Sequence, residues 1–89
     1  MNTRNDFNRL DYNSLNAFVA AARTLNFTSA ARQAAMTQSG VSQHIARLEG
    51  QLHARLFTRI SRKTRLSRLG EILLEFCEAQ KERLDELFE

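Results

Sequence analysis

The stretch MTQSGVSQHIARLE, residues 36–49, carries the side chains best suited to recognition chemistry. Thr37, Gln38, Ser39, Ser42 and Gln43 are short, uncharged hydrogen-bonders gathered at its front, and each offers both a donor and an acceptor. Val41, Ile45 and Leu48 recur behind them at helical spacing, which predicts one buried side. A solvated helix face more often carries Glu and Lys. This composition suits a helix whose first turns meet a surface of mixed donors and acceptors.

Charge is unevenly spread around that stretch. Residues 12–70 hold nine Lys and Arg side chains against one carboxylate, Glu49, whereas residues 71–89 hold seven carboxylates against Lys81 and Arg83. A basic body followed by an acidic tail points to a polyanion at one end and a different partner at the other.

The elements that position these groups follow from periodicity. Residues 12–25 place Tyr12, Leu15, Phe18, Val19, Ala22 and Leu25 on one helical face, with Asp11 as N-cap and Asn26 as the left-handed stop. Residues 28–35 predict a short second helix capped by Thr28, with Phe27 as a core anchor just ahead of it. Thr37 caps a third helix over about 38–52. Ala31 is followed three, five, ten and fourteen positions later by Ala34, Met36, Val41 and Ile45, which fill the angle between two steeply crossing helices. This is helix-turn-helix spacing, although a helix pair used purely for packing has a similar pattern.

Beyond Leu52 the pattern changes. In RLFTRISRKTRLS, β-branched and aromatic residues alternate with arginine. We read a two-stranded wing, with Leu56, Thr58 and Ile60 on one side and Phe57 and Arg59 on the other. Residues 61–63 form its turn and 64–66 its return strand. Arg62 and Lys63 mark the tip, flanked by Arg59 and Arg65. Ser67 caps a last helix of about twenty residues, with Leu69, Ile72, Leu73, Phe76, Gln80, Leu84 and Leu87 in one stripe. Its far end should extend past the body, and a protruding apolar stripe needs a partner.

With these elements in order, the chain resembles the N-terminal DNA-binding domain of LysR-type transcriptional regulators. The resemblance runs from Leu15 to Leu87 and is carried by NFTSAA (26–31), TQSGVSQHIARLEGQLHARLFTR (37–59) and LSRLG (66–70). It implies a mainly α fold: a winged helix-turn-helix over 1–66, with a three-helix core and two-stranded β wing, then a linker and dimerisation helix over 67–89. It implies a recognition helix in the major groove, whose base edges present mixed donors and acceptors, with Gln38, Ser39, Ser42 and Gln43 at those edges. Arg62 resembles the family residue that enters the adjacent minor groove. The resemblance also suggests a homodimer through antiparallel linker helices on an inverted repeat. A small-molecule effector would act only through a C-terminal domain absent from this chain, which reads as a fragment of a longer regulator. Departures occur at Ser39, Gln43, His44, His53, Ser61 and Lys63. Those on the third helix bear on base preference, and the others on helix and turn geometry.

Several residues admit two readings. Thr28 and Thr37 suit phosphate contact and helix capping together, and capping alone accounts for Ser39 and Ser42 as well. Arg47, one turn beyond Gln43, and Lys63 suit the DNA backbone. Arg55, Arg59, Arg65 and Arg68 suit either phosphate or pairing with Glu49 or Glu71. Gln80 either fixes the register of a dimer seam or lies at its solvated edge. His44 either approaches DNA or covers helix surface. A second function class is a protein-interaction module using the last helix alone.

The remaining features argue against other classes. No apolar run approaches a membrane span, and MNTRNDFNRLD lacks a signal-peptide core, so a cytoplasmic setting is expected. Cys77 stands alone, with no partner for an internal disulfide. His44 and His53 have no metal-ligand spacing around them, and there is no glycine-rich phosphate loop. We expect no catalytic residue, no metal and no cofactor.

Overall fold

The computed structural model describes residues 11–88, so residues 1–10 of the expected first domain and Glu89 lie outside the described residues. Helix α1 spans Tyr12–Thr24, α2 Phe27–Ala34 and α3 Gln38–Leu52. Strands β1 (Phe57–Ile60) and β2 (Lys63–Leu66) form an antiparallel pair, and α4 runs over Arg68–Leu87. The fold is a winged helix-turn-helix with a long last helix, as the residue pattern predicts.

Three expected caps are made as written. The Asp11 side chain accepts the Ser14 N–H at 2.8 Å, Thr37 Oγ1 accepts that of Gly40 at 2.9 Å, and Ser67 Oγ accepts that of Gly70 at 3.0 Å. The junction between α1 and α2 differs from expectation. Leu25, not Asn26, takes the left-handed stop (φ 52°), and Asn26 instead caps α2 by accepting the Ser29 N–H at 3.0 Å. Thr28 is therefore inside α2, and Phe27 is its first residue. Two short side chains competed for one cap, and the residue nearer α1 took it. His53 ends α3 in the left-handed region (φ 55°), which explains why it stands at a position where glycine is easiest.

The crossing residues behave as their spacing predicts. Val41 and Ile45 are buried with Ala31, and Ala34 and Met36 pack against them. Phe18, Leu48 and Leu56 are fully buried at the centre. The Phe57 ring lies 5.7 Å from those of both Phe18 and Phe27, in tilted and edge-on arrangements. The apolar face of α1 is shifted from the expected stripe. Ala17, Ala20 and Ala21 are buried, while Tyr12 and Leu25 are exposed, because small residues let α2 and α3 approach closely.

The wing is tighter than expected. Ile60 pairs with Lys63, so the turn is only Ser61 and Arg62, with φ of 52° and 65°. Positive φ at both positions is the primed two-residue hairpin turn that matches strand twist. Lys63 is thus a strand residue. Alternation also fails at the base: Leu56 and Phe57 are both buried although adjacent, and Ile60 is exposed. Leu56 precedes the strand and faces the core. Ile60 lies where the hairpin has left it.

Helix α4 is locked to the wing at its start. Ser67 N–H donates to the Leu56 carbonyl at 2.9 Å, and its hydroxyl to the Arg55 carbonyl at 2.7 Å. A Cβ on Gly70 would run into that Leu56 carbonyl oxygen, so the close approach requires glycine. The single seven-residue seam expected on α4 divides. Leu73 joins the domain's core beside Cys77, and Leu69 packs against that core, because α4 packs on α1. Ile72, Phe76, Gln80, Leu84 and Leu87 are exposed, as is every residue over 81–88.

Candidate nucleic-acid interface

The burial of Val41, Ile45 and Leu48 turns the opposite face of α3 outward. Gln38, Ser39, Ser42 and Gln43 are all exposed on it. Thr28 and Thr37 meet them at its front edge. Thr28 Oγ1 donates to Gln38 Oε1 at 3.3 Å, tying α2 to the first residue of α3. Thr37 Oγ1 lies 3.3 Å from Ser39 Oγ while capping the helix. A helix start also presents first-turn N–H groups without intrahelical acceptors and the positive end of the helix dipole. The result is an uncharged, donor-rich edge suited to phosphate and base atoms.

Exposed cations lie further along α3 and on the wing. Arg47, one turn beyond Gln43, is exposed, with its guanidinium 3.9 Å from Asp11 Oδ2. Arg62 and Lys63 are exposed at the wing tip, as are Arg59 and Arg65 along its strands. Of the arginines with two readings, Arg55 sits 3.5 Å from Glu49. The same Glu49 carboxylate accepts the Leu56 N–H at 2.7 Å, so it pins the entry to the wing. Arg23 pairs with Glu78 at 2.9 Å and ties α1 to α4, away from the recognition face.

One connection has no signal in the sequence. Ser14, buried in the core, bridges Asp11 and His44, with its hydroxyl 2.9 Å from His44 Nδ1. Asp11 is held below the usual carboxylate value, foremost by the Ser14 backbone N–H. Burial opposes that shift, and the Ser14 hydroxyl, Arg47 and His44 reinforce it. Asp11 was legible as a cap, but a contact across thirty residues of chain was not.

The rest of the surface offers little chemistry of other kinds. Burial, with help from Glu78, pushes the Cys77 thiol up, away from the reactive thiolate. Among the described residues no three His, Cys, Asp or Glu side chains converge on a metal-sized site. No described helix is long and apolar enough to cross a membrane. A mainly apolar groove of about 260 Å³ lies between α1 and α4, lined by Tyr12, Leu15, Val19, Phe76 and Leu84 among others.

The helix pair, the wing and the long last helix define a winged helix-turn-helix protein. The family model for bacterial regulatory helix-turn-helix proteins of the lysR family matches residues 12–71, and the chain belongs to that family as its DNA-binding domain. An uncharacterised transcriptional regulator of Azotobacter vinelandii is 48% identical over 65 residues, covering 73% of this chain and 45% of its own length. The transcriptional activator AmpR of Citrobacter freundii is 53% identical over 62 residues, covering 70% and 21%. Both relatives are regulators, and the chain spans less than half the length of either. Among solved structures, the BenM DNA-binding domain in complex with its catB site 1 DNA superposes with a TM-score of 0.80 at 25% identity. That match covers 89% of this chain and 88% of the other. A LysR-family regulator from Eggerthella lenta superposes at 0.71 with 36% identity, covering 78% and 97%.

Proposed function

We propose that this domain binds specific DNA sequences as a homodimer, with α3 in the major groove of each half-site. Gln38, Ser39, Ser42 and Gln43 meet base edges there. A glutamine amide matches the adjacent N6 donor and N7 acceptor of adenine. Thr28, Thr37, Arg47 and Lys63 hold phosphates, and Arg62 enters the neighbouring minor groove. Such a regulator works in the cytoplasm, where bacterial DNA lies. The observation that carries this reading is the division of α3: its apolar ladder is in the core, and its uncharged polar front is entirely exposed. The likeness to a domain solved on DNA supports it.

The exposed side of α4 supports the dimer. Ile72, Phe76, Leu84 and Leu87 stay open to water, with Gln80 among them. A second α4 packed antiparallel would cover that apolar surface and place two recognition helices about a twofold axis. An inverted-repeat site follows from that symmetry. Selection of bound duplexes from random DNA tests both parts. Two mirrored half-sites at fixed spacing are expected. Enrichment of a lone half-site would overturn the dimer, and no enrichment at low salt would overturn sequence-specific binding.

A further inference from the structure

Ser14 has no accessible surface, and a hydroxyl shut away from water needs partners. It has them on both sides. The backbone N–H of Ser14 donates to Asp11 Oδ1 at 2.8 Å, its hydroxyl donates to Asp11 Oδ2 at 3.0 Å, and the hydroxyl oxygen lies 2.9 Å from His44 Nδ1. The direction of each bond follows from the donor inventory. An ionised carboxylate only accepts, so the one hydroxyl proton of Ser14 points to Asp11. Ser14 Oγ then faces His44 with lone pairs alone, and Nδ1 must carry the hydrogen. In the neutral ring this leaves Nε2 bare, as an acceptor. The downward shift of Asp11 keeps the carboxylate ionised near neutrality and agrees with this order.

The relay links the cap of α1 to the middle of the recognition helix, where half-buried His44 directly follows Gln43. We propose that Asp11, acting through Ser14, holds the His44 proton on Nδ1 and so sets the hydrogen-bonding polarity of a specificity-determining side chain on α3. The DNA part rests on the function proposed above. Asp11 and Ser14 are positioning residues. A bare Nε2 favours the amino groups of adenine and cytosine over the acceptor edges of guanine and thymine.

The test uses the whole chain, labelled with 15N, at a pH of about 8, above the ordinary imidazole titration. Long-range proton–nitrogen correlation spectra are expected to show a proton-bearing Nδ1 and a bare Nε2 for His44. Asp11→Asn keeps a good N-cap but turns an amide N–H toward Ser14. The Ser14 proton then swings to His44, and the ring is expected to change to the Nε2–H form. Ser14→Ala retains the Asp11 carboxylate, breaks the relay and is expected to give a mixture of forms. A wild-type ring that is mixed or Nε2-protonated, or one indifferent to both substitutions, overturns the proposal.

A second arm measures binding to the selected duplex and to its single base-pair variants. Both substitutions are expected to change the wild-type preference at one or more positions by about fivefold. Unchanged preferences with altered tautomers would reduce the relay to a structural bond and overturn its role in specificity. If the wild-type chain ignores every duplex while its spectra are as expected, the function proposed above fails instead, so the two failures are distinguishable.

Discussion

Removing the Glu49 carboxylate should loosen the joint between recognition helix and wing. Glu49 Oε2 accepts the backbone N–H of Leu56 at 2.7 Å, and its side chain is only 18% exposed. Leu56 itself is fully buried. Glu49→Ala therefore leaves a shielded N–H without its acceptor, at about 1–3 kcal/mol. The second partner of Glu49 adds little. Arg55 is 3.5 Å away and 81% exposed, where an ion pair is worth less than about 1 kcal/mol. A total near 2 kcal/mol corresponds to a fall in melting temperature of about 10 °C for a domain of this size. Urea and thermal unfolding at one fixed protein concentration measure it, since the proposed dimer would make stability depend on concentration. Arg55→Ala serves as the control and should lose less than about 0.5 kcal/mol. Glu49→Gln keeps an acceptor and should fall between the two. If Glu49→Ala unfolds like wild type, or if Arg55→Ala is the worse variant, the Leu56 bond is not what holds this joint.

Four further outcomes are expected. A Cβ at Gly50 meets nothing within 4 Å, so Gly50→Ala should raise stability by about 0.5–1 kcal/mol, whereas Gly70→Ala must push Leu56 aside and should lower it; chemical denaturation separates them. If five phosphates are neutralised per subunit, DNA affinity should fall with a log–log salt slope of about −4.5; Gln43→Ala should then relax base preference, while Arg62→Ala weakens binding to all sequences alike. Phe76→Asp should yield monomers by sedimentation, with the fold retained because Phe76 is half exposed; Leu73→Asp strikes the core and should unfold the chain instead. Asp11 has a depressed folded value, so its contribution to stability is present above the ordinary carboxylate value and lost as pH falls through the folded one; unfolding below pH ~4 should show this loss, and Asp11→Asn should remove it.

The fold was legible where one physical demand picked one residue. Val41, Ile45 and Leu48 have no alternative to the core, and Thr37 and Ser67 stand directly ahead of the helical runs of α3 and α4 and cap them. Reading blurred where two residues met the same demand. Asn26 and Thr28 both suit a helix start, and the left-handed turn at Leu25 carries no sequence mark. The sequence predicts a wing turn one residue longer than the structure has, because neither Ser61 nor Arg62 carries the Asn-Gly signature of a two-residue turn. Helical periodicity puts Leu73 and Phe76 in one stripe, yet Leu73 is buried and Phe76 stays half exposed. Composition singled out the uncharged polar side chains of α3, and the structure leaves Gln38, Ser39, Ser42 and Gln43 exposed. The Ser14–His44 bond was not, since it exists only once two helices have crossed.

The two residues at the wing tip set durability against reach. Ser61 and Arg62 both hold left-handed backbone without being glycine, a burden of about 1 kcal/mol or more apiece. An asparagine-glycine pair would suit the bend better, yet it would take away the guanidinium at the very point of the hairpin. A designer seeking a more heat-resistant version of this domain would find the easiest improvement at that bend, and would blunt the finger in making it.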